Sequence, residues 1–129
     1  MGARTFRELE VWQLADRLRT EIANLTIADP VRKDFRFCAE LQSSARSIGA
    51  NIAEGFARYR PAEFVQFLRY ARGSLAEVDT YVRELRLRSL VPPSACDELE
   101  ALIARTGGAL MGLVHYLQSD EARARMRSS

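Results

Sequence analysis

The most constraining feature of this sequence is a repeat of apolar residues at alternating spacings of four and three. In the clearest of four such stretches the repeat runs through Phe64, Leu68, Ala71, Leu75, Val78, Val82 and Leu85. An average spacing of about 3.5 residues nearly matches the helical turn of about 3.6, so these side chains form one stripe along a helix. Four such stripes can bury one another, which predicts an all-α fold, an up-down antiparallel four-helix bundle.

Prolines and capping residues set the predicted helix boundaries. Thr5 and Glu8 have the spacing of a capping box, which predicts the start of the first helix. Pro61 suits the first position of a helix, because no amide hydrogen is needed there. The predicted helices span residues 6–27, 34–57, 61–90 and 94–118, with a flexible basic tail at 119–129, all within one domain of residues 1–129.

Small residues are concentrated in the second predicted helix and indicate close packing against a neighbour. Gly49 lies in the helix interior, where glycine costs about 1 kcal/mol relative to alanine, and a close helix contact could offset that cost. Gly55 has two interpretations, a second close contact or the end of the helix.

Composition narrows the function classes. Hydrophobic residues make up 47% and charged residues 28%, the balance of a folded globular chain. The chain has no apolar run of about 18 residues, so we expect no membrane partner, and no secretory leader is recognised, so we expect a cytoplasmic location. The formal net charge of +2 is too small to indicate a nucleic-acid partner by itself.

Enzyme signatures are absent from the sequence. The chain has a single histidine, His115, so neither a histidine-based triad nor a multi-histidine metal site can form. Cys38 and Cys96 lie on separate predicted helices without metal-ligand spacing. We therefore expect no catalysis, no metal and no cofactor.

The third predicted helix carries two flanks of opposite character beside its apolar stripe. Arginines 69, 72, 83 and 86 fall on one flank, whereas Glu63, Tyr70, Glu77, Tyr81 and Glu84 fall on the other. Such a helix suits head-to-tail contact between copies, but ordinary solvated flanks with intrahelical ion pairs give the same pattern. A surplus of aromatic residues favours assembly, because a narrow seam has little room for them.

Three blocks of residues resemble a known family. They are Phe6 to Ala15; Ser47 to Gly55 followed by Arg58; and Glu63-Phe64 with Phe67-Leu68, Ala71, Gly73-Ser74-Leu75 and Glu77. In this order they resemble the four-helix-bundle family of the 23S rRNA-intervening sequence protein. The resemblance implies a small bacterial cytosolic bundle that assembles into a homopentameric ring. Relatives include the accessory variability determinant of diversity-generating retroelements, a basic pentamer that binds nucleic acid and a reverse transcriptase.

One departure from the family pattern bears on nucleic-acid binding. Gln42 and Ser43 stand where the family usually has an arginine pair, and only Arg46 restores positive charge one turn later. Fewer arginines neutralise fewer phosphates, and affinity falls with that number. The resemblance therefore supports the expected fold and assembly more strongly than it supports nucleic-acid binding.

Together these observations predict a non-enzymatic bundle that self-associates as a homopentamer and serves as an RNA- or DNA-binding accessory. The alternative is a scaffold that docks a protein partner and binds no nucleic acid. The expected phosphate contacts are Arg46, Arg58, Arg69, Arg72, Arg83 and Arg86. The expected structural or interface residues are Asn51 and Glu54, as a polar pair at a helix or subunit contact, with Trp12, Tyr70 and Tyr81.

Overall fold

The computed structural model describes residues 2–119, which contain four α-helices and no β-strand. The helices are α1 (Glu10–Thr26), α2 (Phe35–Ala57), α3 (Pro61–Leu87) and α4 (Pro93–Leu117). Short 3₁₀ turns, Phe6–Glu8 and Val31–Lys33, precede α1 and α2. The all-α prediction is confirmed. None of the helices in residues 2–119 is long and apolar enough to cross a membrane.

Each helix packs against the next one along the chain, and α1 also packs against α4. Successive helices run in opposite directions. Arg86 near the end of α3 bonds Asp97 near the start of α4, and Gly55 near the end of α2 lies against Phe64 near the start of α3. This arrangement is compatible with the predicted up-down bundle.

The apolar stripes form one continuous core. All seven stripe residues of α3 are buried, and Leu18, Ile48, Leu68 and Leu110 bring one fully buried side chain from each helix. Burial of one such side chain stabilises the fold by about 1.5–3 kcal/mol, so packing of the stripes is the main source of stability.

Two helix boundaries differ from the predicted ones by more than one residue. Thr5 and Glu8 do interact, since the Thr5 N–H donates to the Glu8 carboxylate at 3.1 Å, but they close a 3₁₀ turn. Leu9 is extended after that turn, so α1 begins only at Glu10. At the other boundary α3 ends at Leu87, because Ser89 adopts a left-handed φ of 52°. The predicted basic tail lies outside the described residues from position 120 onward.

Gly55 is a packing residue, which resolves its two interpretations. It is buried inside α2, and a Cβ atom there would lie 2.8 Å from both Phe64 Cδ1 and Phe67 Cβ of α3. The absent side chain therefore allows α2 and α3 to approach closely. Gly49 has a milder role, because its Cβ would lie 3.4 Å from Nε1 of Trp12.

Candidate nucleic-acid interface

Three arginines of α3 form a surface that we call the α3 basic flank: Arg69, Arg72 and Arg83. All three are exposed, and none has a carboxylate within ion-pair distance among residues 2–119. At about 100° per residue they fall within an arc of about 60°, and they extend over about 21 Å of the helix axis. The flank faces the α4 side of the bundle, since the neighbouring Arg86 reaches α4.

Arg86, the fourth predicted arginine of this helix, is already engaged. Its guanidinium contacts Asp97 at 2.7 Å and Glu100 at 3.1 Å, both on α4. The hydrogen bond to Asp97, followed by the one to Glu100, raises the pKa of Arg86. The structure thus places Arg86 in a link between α3 and α4 rather than leaving it open to a phosphate.

The other two predicted phosphate contacts lie on different surfaces. Arg58, the C-terminal cap of α2, bonds Glu54 at 2.8 Å, and its guanidinium lies 5.1 Å from the ring centroid of Phe67. Arg46 is exposed on the outer side of α2, about 160° around the helix from the buried Ile48. The six arginines therefore do not form one continuous surface within a single chain.

The opposite flank of α3 is joined to α2 by a ladder of polar contacts. Ser44 donates to the Glu77 carboxylate at 2.8 Å, and the hydroxyls of Ser47 and Ser74 lie 2.8 Å apart. Asn51 extends the ladder, because its Nδ2 donates to the Ser47 carbonyl at 2.8 Å. These contacts satisfy polar groups inside the helix pair, so this flank holds the fold together.

The sequence does not predict this ladder when the serines of α2 are treated only as small residues that allow close packing. A usable signal existed. Ser44, Ser47 and Asn51 recur at spacings of three and four, which places them along one side of a helix. Asn51 bonds Ser47 of its own helix, and Glu54 bonds Arg58, so the two residues do not bond each other as the predicted polar pair.

The three predicted interface aromatics differ in exposure. Trp12 is half-buried, with its ring centroid 5.2 Å from that of Phe6, and Tyr81 is half-buried, 5.8 Å from Phe37. Tyr70 is 50% exposed, and its hydroxyl accepts a hydrogen bond from Gln66 at 2.9 Å. Tyr70 thus retains the most surface for contact with another molecule.

Position 42, where this sequence departs from the arginine pair, also has an internal partner. The Gln42 Nε2 donates to Oγ1 of Thr26 at 2.7 Å and joins α2 to α1. Its neighbour Ser43 is exposed. Gln42 therefore contributes a hydrogen bond between two helices and no positive charge.

The described part of the chain offers no cluster of three metal-ligating side chains. Cys38 and Cys96 are both buried, and burial raises the pKa of each thiol. The Cys38 thiol donates to the Val31 carbonyl at 3.2 Å, which gives it a packing role.

Comparison with known families agrees with the fold and the sequence blocks. Residues 7–112 match the family described as 23S rRNA-intervening sequence protein. The chain belongs to this family. No curated protein matches the chain. In this member of the 23S rRNA-intervening sequence protein family, the matched segment contains α1 to α3 and most of α4, and so includes the whole α3 basic flank.

Proposed function

We propose that this chain is a non-enzymatic, self-associating bundle that binds nucleic acid through the α3 basic flank. Arg69, Arg72 and Arg83 would contact phosphates at separate points along one nucleic-acid backbone. A planar guanidinium with unused donors binds a phosphate in a bidentate manner, which an ammonium group cannot do.

One observation carries this proposal: the ion pairing of arginine differs between helices. Both arginines of α1, Arg17 and Arg19, bond a carboxylate of their own helix. On α3 only one of the four arginines bonds a carboxylate, and the three without one share a flank. Arginines that bond no carboxylate keep their donors and charge available for an anionic ligand.

The test is salt-dependent binding of a labelled structured RNA, followed by fluorescence anisotropy at about 50 and about 200 mM salt. The expected result is binding that weakens steeply with salt. The triple variant R69Q/R72Q/R83Q should reduce the slope of log affinity against log salt by about 2 to 3, since each lost phosphate contact contributes about 0.7–0.9.

A matched control removes charge where the arginines are already paired. The double variant R17Q/R19Q should leave the salt slope nearly unchanged, because those guanidiniums are bound to Glu21 and Asp16. Failure of the wild-type protein to bind at low salt, or binding that is indifferent to salt, would reject the proposal.

Self-association is the second part of the proposal, and the exposed Tyr70 supports it. Its ring packs edge-on against Phe67 at 5.5 Å, so an aromatic pair lies at the surface. Tyrosine is enriched at protein interfaces. Light scattering should give a mass of about 73 kDa, five copies of 14.6 kDa. A mass of one chain at micromolar concentration would contradict this part.

An apolar end of the bundle favours the alternative function, a scaffold for a protein partner. Ile27, Phe35 and Leu87 are 72%, 81% and 70% exposed at the end where α1 and α3 finish and α2 begins. A cavity of about 360 Å³ opens at the same end. Its lining residues are Asn24, Leu25, Ala28, Asp29, Val31, Leu90, Val91, Pro92 and Ala95.

Exposed apolar side chains of this kind mark contact surfaces. The scaffold alternative predicts a protein partner that stays bound after nuclease digestion and is lost in the variant Phe35→Ser. Loss of every co-purified protein on digestion would favour nucleic-acid binding instead.

A further inference from the structure

The turn between α2 and α3 contains a backbone conformation that does not suit its residue. Tyr59 has a φ of 63°, in the left-handed region. Helices commonly end with one residue in this conformation, and it is usually glycine, because any Cβ is strained there. A bulky residue at a positive φ is an outlier, and such strain persists mainly where the residue has a role.

The side chain of Tyr59 also lacks stabilising contacts. It is 81% exposed, and neither its ring nor its hydroxyl has a partner in the described part of the chain. The nearby ring of Phe67 contacts Arg58 and Tyr70 instead. Strain and exposure both disfavour tyrosine here, a combination expected of a residue that contacts another molecule.

The residues on either side of Tyr59 are both arginines. Arg58 is held by Glu54, whereas Arg60 is exposed and lacks an ion-pair partner within residues 2–119. An exposed aromatic ring next to an available guanidinium is the combination with which proteins bind single strands, because bases stack on the ring and phosphates bind the cation.

We propose that Tyr59 is a stacking platform for a base of single-stranded nucleic acid, with Arg60 on the adjacent phosphate. This inference rests on the proposed function, since the rest of the strand would follow the α3 basic flank. Arg69 lies eight residues beyond Pro61, about 12 Å along the axis of α3, a distance that a few nucleotides of one strand can span.

The decisive variant is Tyr59→Gly, measured with a labelled single-stranded oligonucleotide of mixed sequence. The affinity should fall at least about fivefold, the lower end of what one base–aromatic stack contributes. The melting temperature should rise by about 2–4 °C, because glycine relieves the strain. Opposite changes in affinity and stability would not follow from a merely structural role.

Two further variants isolate the ring from the backbone. Tyr59→Phe keeps the ring, so the affinity should stay within about twofold of the wild type. Ser89→Gly is the matched control, because Ser89 has a φ of 52° after α3 and carries no ring. It should raise the melting temperature without changing the affinity.

The outcomes separate this inference from the proposed function. If the wild type binds and Tyr59→Gly binds equally well, the stacking role is overturned while the α3 basic flank stands. If neither protein binds any nucleic acid at low salt, both proposals fail. If Tyr59→Gly loses mass in light scattering, the ring contacts a second copy of the chain, which also overturns the stacking role.

Discussion

The two flanks of α3 carry similar numbers of polar residues but differ in how many of these residues bond a neighbouring helix. Towards α2, Ser74 and Glu77 bond Ser47 and Ser44 across the helix contact. Towards α4, only Arg86 reaches a partner, and the α3 basic flank has none in the described chain. Polar groups satisfied within the chain stabilise the fold, whereas unsatisfied surface charges are available to a ligand.

The difference extends to packing. Gly55 allows α2 to approach the rings of Phe64 and Phe67, whereas Gly108 of α4 is exposed and has no atom within 4 Å of where its Cβ would lie. Glycine is therefore required at the α2–α3 contact and dispensable on the open surface of α4. We expect substitutions on the two sides of α3 to affect different properties, stability on one and binding on the other.

The largest expected effect comes from Gly55→Ala. The new Cβ would lie 2.8 Å from Phe67 Cβ, which is close to the backbone and cannot easily move. Overpacking should exceed the gain in helix propensity, so the free energy of unfolding should fall by about 2 kcal/mol. Urea denaturation measures this change.

Gly108→Ala is the matched control, with the same atoms added on an open surface. It should raise the free energy of unfolding by about 0.5–1 kcal/mol. Stabilisation by both substitutions would show that the α2–α3 contact is looser than described, and the contrast between the two sides would fail.

A smaller effect is expected at Asp34, which joins the start of α2 to the end of α3. Its carboxylate accepts hydrogen bonds from the Phe37 amide at 3.1 Å and from Arg88 at 3.0 Å. The hydrogen bond from Phe37, followed by the one from Arg88, lowers the pKa of Asp34 below its ordinary value of 3.8. The stabilisation that the Asp34 carboxylate contributes is therefore fully present above pH 3.8. It is lost as the pH falls through the lower pKa that Asp34 has in the folded state.

Thermal unfolding of Asp34→Ala at neutral pH should occur a few degrees below that of the wild type. The gap should narrow in a series of melts that goes below pH 3.8, as the wild-type carboxylate takes up a proton. A gap of constant size throughout the acid range would mean that the charge of Asp34 has no part in the contact.

The smallest effect concerns Asp79, an exposed acid between Arg72 and Arg83 on α3. Its negative charge opposes a phosphate on the same flank, although solvent and salt screen the repulsion. Asp79→Asn should therefore strengthen RNA binding about two- to threefold at low salt. Glu98→Gln on α4 removes the same charge elsewhere and should change little. Equal strengthening by both would indicate only a net-charge effect.

Helix positions were predictable because they depend on local pattern. The stripe from Phe64 to Leu85 alone predicts α3, and its burial needs no knowledge of the partner helix. The start of α1 was less predictable, since a capping box is the same signal before a 3₁₀ turn and before an α-helix. In this chain Leu9 has an extended backbone, which separates the 3₁₀ turn from the start of α1.

Which arginines stay unpaired was harder to predict, because pairing between helices depends on their relative register. The Arg58–Glu54 pair has the spacing of an intrahelical pair and is visible in the sequence. Arg86 finds Glu100 fourteen residues away on the next helix, which no spacing rule provides. The predicted set of six therefore divides into the α3 basic flank, the separate exposed Arg46, and two guanidiniums, those of Arg58 and Arg86, that already bond carboxylates.

Trp12 has a practical consequence. It is the sole tryptophan of the chain, half-buried with its indole nitrogen against Gly49 where α1 meets α2. Its intrinsic fluorescence therefore reports on the separation of those two helices without any added label. Since the α3 basic flank lies on a different helix, α3, tryptophan emission can follow unfolding while the anisotropy of a labelled RNA follows ligand occupancy in the same cuvette.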